Sequence, residues 1–159
     1  MRATVYLWVV LMASVLPGLA QDQFLSKPLS EVKAQLDKKR ISYSEQLSPM
    51  GDVTTLSYSA TEVDSKRIDL FFTHSLTFPQ ANKNLCSEVV SLPMLQKAWV
   101  ADTIKNRLLI AGFKKLDDSR YVNERFNLAA TLDYIKDSQQ PTVRMLRILF
   151  KPIKPKANE

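Results

Sequence analysis

The residues best suited to reactive chemistry are the single histidine, His74, and the single cysteine, Cys86. In contact they could form a nucleophilic pair, because an imidazole can take the proton of a thiol. His74, however, falls on the apolar side of an alternating stretch, and Cys86 stands beside Leu85. Such settings are typical of buried structural residues. We therefore expect no catalytic residue, no cofactor and no metal site.

Other routes to catalysis find little support in the residue pattern. Zinc sites need several nitrogen or sulfur ligands, and the chain contains neither a G-x-S-x-G motif nor a glycine-rich phosphate loop. A pair of carboxylates for glycoside cleavage stays open, with four long-armed candidates: Glu45, Glu62, Glu88 and Glu124. Each stands among polar residues, which is typical of solvated surface. An enzyme without a readable motif is thus one alternative hypothesis.

The basic residues near the end of the chain give the strongest binding signal. Four of them are our candidate binding residues: Arg125, Arg144, Arg147 and Lys151. We expect Arg144 and Arg147 on the strand face opposite Leu146. Cations opposed on one face repel each other, which favours an anionic partner between them. The competing interpretation is that these charges only keep a sheet edge soluble.

The first twenty residues predict export. Arg2 precedes an apolar run over residues 5–16, and Gly18 and Ala20 are the small residues that a signal peptidase requires ahead of Gln21. The run is shorter than the roughly 20 apolar residues of a membrane span. We expect cleavage at about Ala20–Gln21, a periplasmic or secreted protein, and no membrane span after cleavage. An uncleaved anchor is the alternative.

Composition favours one folded domain with an anionic partner. The chain has 159 residues, so removal of a 20-residue leader leaves 139, the usual size of a single domain. The formal net charge is +6, and it falls to +5 when Arg2 is lost. Such a charge favours an acidic protein or an anionic envelope component. Nucleic acid is not expected, because an exported protein seldom meets it.

Hydrophobic periodicity predicts an α+β domain over residues 21–150, followed by a basic flexible tail over residues 151–159. The predicted order is α-β-β-β-α-β-β, with the main helices over 28–40 and 91–112 and strands over 41–47, 56–60, 68–78, 126–134 and 143–150. A further short helix is expected around residues 85–90. We expect a single antiparallel sheet of about five strands, with both main helices on one face.

These patterns together favour an exported, soluble, non-enzymatic binding protein. It would act on a protein or an anionic envelope partner through its sheet face and basic C-terminal strand, for example as an inhibitor or an immunity-type factor. The alternative is a carrier of a small apolar ligand or lipid, with a pocket lined by Phe72, Trp99 and Phe126.

Overall fold

The computed structural model describes residues 22–63, 69–136 and 144–153, so the predicted leader over residues 1–20 lies outside the described residues. It contains two α-helices, α1 (Leu29–Lys38) and α2 (Ala98–Ile110). The strands are β1 (Tyr43–Leu47), β2 (Val53–Val63), β3 (Asp69–Pro79), β4 (Glu88–Pro93), β5 (Lys114–Lys115), β6 (Arg120–Asn123), β7 (Leu128–Lys136) and β8 (Arg144–Pro152). The α+β class with one antiparallel sheet is confirmed.

The sheet has eight strands, not about five, in the order β1-β2-β3-β4-β8-β7-β6-β5. Within the described residues, each half is a helix followed by four antiparallel strands, and the halves meet where β4 pairs with β8. The predicted order α-β-β-β-α-β-β was therefore wrong, because the first half carries one more strand than predicted and the second half carries two more. The arrangement repeats although the sequence shows no internal repeat.

Strand β4 replaces the short helix predicted around residues 85–90. Its inward positions are Val89, Ser91 and Pro93, and its outward positions include Val90 and Leu92. Apolar residues thus face both sides while a serine faces the core, so the sequence shows no alternation of the kind that marks a strand.

Helix α2 begins at Ala98, later than the predicted start at residue 91. Ser91 and Pro93 belong to β4, and Lys97 caps the helix in extended backbone without a side-chain hydrogen bond. The predicted end was correct. Gly112 has φ +84°, a left-handed conformation that favours glycine just beyond a helix.

The strand predicted from residue 126 begins two residues later. Glu124–Phe126 forms a 3-10 turn, and Asn127 follows it with φ +54°. Phe126 consequently does not share the inward face of Leu128 and Ala130, and its side chain is exposed. The missed strands β5 and β6 have only two and four residues, too few to show a period of two.

One face of the sheet carries the core. Both helices cover this face: Val32 and Leu36 of α1 are buried there, as are the four residues of α2 that turn towards the sheet, Val100, Ala101, Ile104 and Leu108. The strands contribute Leu56, Phe72, Leu76, Phe78, Val89, Leu128, Ala130, Ile148 and Phe150. We call this the covered face and the other the open face.

The C-terminal strand is longer than predicted. β8 continues through Lys151 and Pro152, which pair with Ala129 and Leu128, so the first two residues of the expected flexible tail belong to the sheet. Residues 154–159 lie outside the described residues. Within residues 22–63, 69–136 and 144–153, no helix has the length and apolar character needed to cross a membrane.

Candidate functional site

His74 lies on the covered face, in β3. Its Nδ1 forms a 2.9 Å hydrogen bond with the hydroxyl of Ser91, its strand neighbour, and its ring stacks on Phe72. Only 1% of His74 is exposed. Burial disfavours the charged ring and lowers the pKa of His74 to about 4. The prediction of a buried core histidine is confirmed.

Cys86 is also buried, as expected for a small hydrophobic residue. Its Sγ donates to the carbonyl oxygen of Glu88 at 3.6 Å. Burial raises the pKa of the Cys86 thiol to about 12, which keeps it protonated near neutral pH. Because the thiolate is the nucleophilic form, this environment does not activate Cys86.

The four candidate glutamates were expected on the solvated surface, and for Glu62 this expectation was wrong. Its side chain is 12% exposed, and its carboxylate lies 3.6 Å from Arg107 of α2 and 4.0 Å from Nε2 of His74. Glu62 shares the inward parity of Tyr58 in β2, which is the sequence signal that could have revealed it. The acid, the imidazole and the Ser91 hydroxyl have the group types of a hydrolase triad. However, this cluster is enclosed between β2, β3, β4 and α2.

The other three carboxylates each have a basic partner. Glu45 pairs with Lys33 at 2.5 Å, Glu88 with Lys151 at 2.7 Å and Glu124 with Lys114 at 3.7 Å. They lie on β1, on β4 and in the turn before β7, so they form no common site. Across the described ranges, no group of three or more His, Cys, Asp or Glu residues could hold a metal ion.

The open face has a different composition from the covered face. An apolar strip crosses β4, β8 and β7, and it consists of Val90, Leu92, Ile135, Met145 and Leu149, all of them partly exposed. Val90 pairs with Leu149 across β4 and β8, and Met145 pairs with Ile135 across β8 and β7. None of these residues belongs to the buried core. We call this group the apolar strip.

Polar groups surround and interrupt the apolar strip. Arg147 lies within it and holds Asp133 through two hydrogen bonds, one of 2.8 Å from Nε. Beside Val90 and Leu149, Lys151 of β8 pairs with Glu88 of β4. On β2 and β3 hydroxyl groups face each other, with Ser57 and Ser75 3.1 Å apart and Ser59 and Thr73 3.4 Å apart.

The four candidate binding residues do not form one cationic patch. Arg147 and Lys151 share the open face, but each is neutralised by an acid. Arg144 follows the parity of Leu146 on the covered side and pairs with Lys136, so the expectation that it lies opposite Leu146 was wrong. Arg125 lies in the turn before β7, at the other end of that strand, with its guanidinium 5.4 Å from the ring centre of Phe126.

No family model, no curated protein and no solved structure matches this chain.

The residues predicted to line a carrier pocket are not brought together. Phe72 is fully buried in the core, whereas Trp99 and Phe126 are 42% and 55% exposed. Trp99 lies in the first turn of α2, and Phe126 lies near its other end, where Asn123 donates to the carbonyl oxygen of Ala111 at 3.1 Å. The expected lining of Phe72, Trp99 and Phe126 was therefore wrong.

A shallow open cleft of about 580 Å³ lies instead beside β1. Its lining is largely hydroxyl-bearing: Ser42, Tyr43, Ser44, Ser57, Tyr58 and Ser59, together with Arg40 and Ile41. Ligand pockets for apolar molecules are mostly enclosed by hydrophobic side chains. This cleft does not have that character.

Proposed function

We propose that this chain is an exported, non-enzymatic binding protein that holds a protein partner on the open face of its sheet. The apolar strip carries the proposal, because it groups partly exposed apolar side chains on a sheet face that neither helix covers, with Val90 and Leu149 as direct strand neighbours. Contiguous exposed apolar surface on a folded protein commonly marks an interaction site.

The anatomy of the open face supports a protein partner. Protein interfaces combine an apolar centre with a polar rim, and here Val90, Leu92 and Leu149 are bordered by hydroxyl groups and by the Lys151–Glu88 pair. With strands about 4.8 Å apart, eight strands span roughly 34 Å. That width accommodates the roughly 800 Å² per partner of a standard interface.

The enclosed polar cluster supports the non-enzymatic part of the proposal. Ser91 and His74 are each only 1% exposed, so neither side chain is open to a substrate from solvent. The neutral state of His74 at physiological pH suits a hydrogen bond that joins two strands. The pattern of the first twenty residues, with Arg2, an apolar run and the small residues Gly18 and Ala20, supports export.

Recognition on this face would depend on apolar contact more than on charge. Arg147 and Lys151, two of the cations that favoured an anionic partner, are each paired with an acid of this chain. Exposed or half-exposed pairs of this kind contribute little binding energy. The partner surface should therefore be apolar at its centre, with polar groups at its border.

Substitution of Leu149 by Lys tests the proposal, with Ile110→Lys on the outer side of α2 as the matched control. Each tagged variant is recovered from the exporting cells after mild crosslinking, and bound proteins are identified by mass spectrometry. Leu149→Lys should lose a partner that wild type and Ile110→Lys retain, because a charge in an apolar interface is costly. Equal recovery with both variants would contradict the proposal.

A further inference from the structure

A second surface lies at the end of the sheet where β7 ends and β8 begins, and we call it the hairpin end. Two cations, Lys136 and Arg144, are direct partners in the β7–β8 ladder there. Both are exposed. Like charges placed directly opposite each other destabilise a sheet, so this pair favours an anion between the two side chains.

A third cation joins them at the same end. Gln96 accepts a 2.6 Å hydrogen bond from the backbone N–H of Leu146 and donates to the carbonyl of Pro93. These bonds hold the segment before α2 against the start of β8. The exposed Lys97 is the next residue. In the described part of the chain, no ion pair involves Lys97, Lys136 or Arg144.

Large apolar side chains accompany these cations. Leu95, Trp99 and Tyr134 are all exposed, and Tyr134 lies two residues before Lys136 on the same side of β7. Trp and Tyr are favoured where one end of the side chain is apolar and the other is wet, as at a membrane surface. The only exposed acid of α2 near this end is Asp102.

We propose that the hairpin end docks on an anionic phospholipid surface. Phosphate groups would lie between Lys136 and Arg144 and beside Lys97, and the rings of Trp99 and Tyr134 would enter the headgroup region. Unpaired cations next to exposed aromatic residues are the combination that such a surface recognises. The inference does not depend on the protein partner proposed above, because the hairpin end and the apolar strip are tested by different variants.

The test follows the fluorescence of Trp99 in the protein without its predicted leader, residues 1–20, where Trp99 is the only tryptophan. The probes are vesicles of phosphatidylcholine with and without phosphatidylglycerol, and vesicles that contain brominated lipid. The expected result is a blue shift and bromine quenching of Trp99 with the phosphatidylglycerol vesicles only, reduced by added salt.

Two charge-matched variants locate the surface. Lys136→Gln with Arg144→Gln removes two cations from the hairpin end. Lys83→Gln with Arg125→Gln removes two exposed cations from turns at the opposite end of the sheet. The first pair should weaken vesicle binding about thirtyfold and the second less than about threefold. Circular dichroism confirms that both variants are folded.

Three outcomes would overturn the inference. Equal weakening by the two pairs would show general charge attraction rather than a surface at the hairpin end. Vesicle binding that leaves Trp99 emission unchanged, or no binding at all, would show that this end does not enter the lipid. Inorganic phosphate is tested as a separate probe. If phosphate alone changes the Trp99 emission, and the same phosphate concentration displaces the vesicles, the three cations bind a free anion rather than a lipid surface.

Discussion

The two faces of the sheet carry the same backbone ladder but opposite side-chain chemistry. On the covered face Phe72, Leu76 and Phe78 are fully enclosed beneath α1 and α2. On the open face Val90, Leu92 and Leu149 stay partly exposed among hydroxyl groups and ion pairs. Stability is therefore concentrated on one face, which leaves the other free to vary and to bind.

The hypothesis of a binding protein depends on this difference. Residues of the open face can be changed at small cost to folding, because they were never fully removed from water. Substitutions on the covered face should cost much more folding free energy, because its residues are fully removed from water. The following predictions test whether the two faces differ as much as their burial indicates.

The largest effect is expected from truncation of a covered aromatic residue. Phe72→Ala should lower the free energy of unfolding by about 3–5 kcal/mol, because it leaves a cavity in the core. Leu92→Ala on the open face, the matched control, should cost about 1 kcal/mol, since the removed atoms are partly exposed. Urea denaturation measures both values. Similar costs at the two sites would show that the open face is buried as well.

The next effect is the pH dependence that His74 imposes. In the unfolded chain His74 takes up a proton near pH 6.5, whereas in the folded protein burial lowers its pKa to about 4. Acid therefore favours unfolding, and stability should fall by about 3 kcal/mol between pH 6.5 and pH 4. Well above pH 6.5 His74 is neutral in both the folded and the unfolded chain, so it no longer lowers the stability of the fold.

The variant His74→Gln shows how much of the pH dependence of stability is due to His74 rather than to the nearby carboxylate of Glu62. Its amide can still bond to Ser91 but does not titrate. Stability curves measured at several pH values should lose most of their slope between pH 6.5 and pH 4 in this variant. If wild type and variant keep the same slope, His74 is not the group that titrates.

The smallest effect is expected from the ion pair on the open face. A double-mutant cycle with Arg147→Gln and Asp133→Asn should give a coupling of about 0.2–1 kcal/mol, since both side chains are about one third exposed. The measurement is chemical denaturation of the two single variants and the double variant. A coupling of several kcal/mol would mean that the pair is shielded from water.

The sequence predicted the parts of the fold in which burial and period agree. In β3 the apolar residues alternate from Leu70 to Phe78, and in α1 Val32 and Leu36 fall on one face. These elements, the glycine stop after α2 and the antiparallel sheet were correct. The prediction failed where tertiary context reversed the pattern. In β4 a serine and a proline face the core because His74 and Phe72 pair with them.

The candidate site was less accessible to sequence analysis. The open face combines residues of β4, β7 and β8, and no sequence period places Val90 opposite Leu149. Charge alone indicated Arg147 and Lys151, but their acidic partners lie on other strands, at positions that only the register reveals. The face of Arg144 was misassigned, although the two-residue spacing from Leu146 already places both on one side.

The most direct test of the central claim places a photo-crosslinking amino acid at position 92, on the open face, and separately at position 110, on the outer side of α2. Illumination of the exporting cells should give a discrete adduct with a protein partner from position 92 and none from position 110. An adduct only from position 110, or equal adducts from both, would contradict the assignment of binding to the open face.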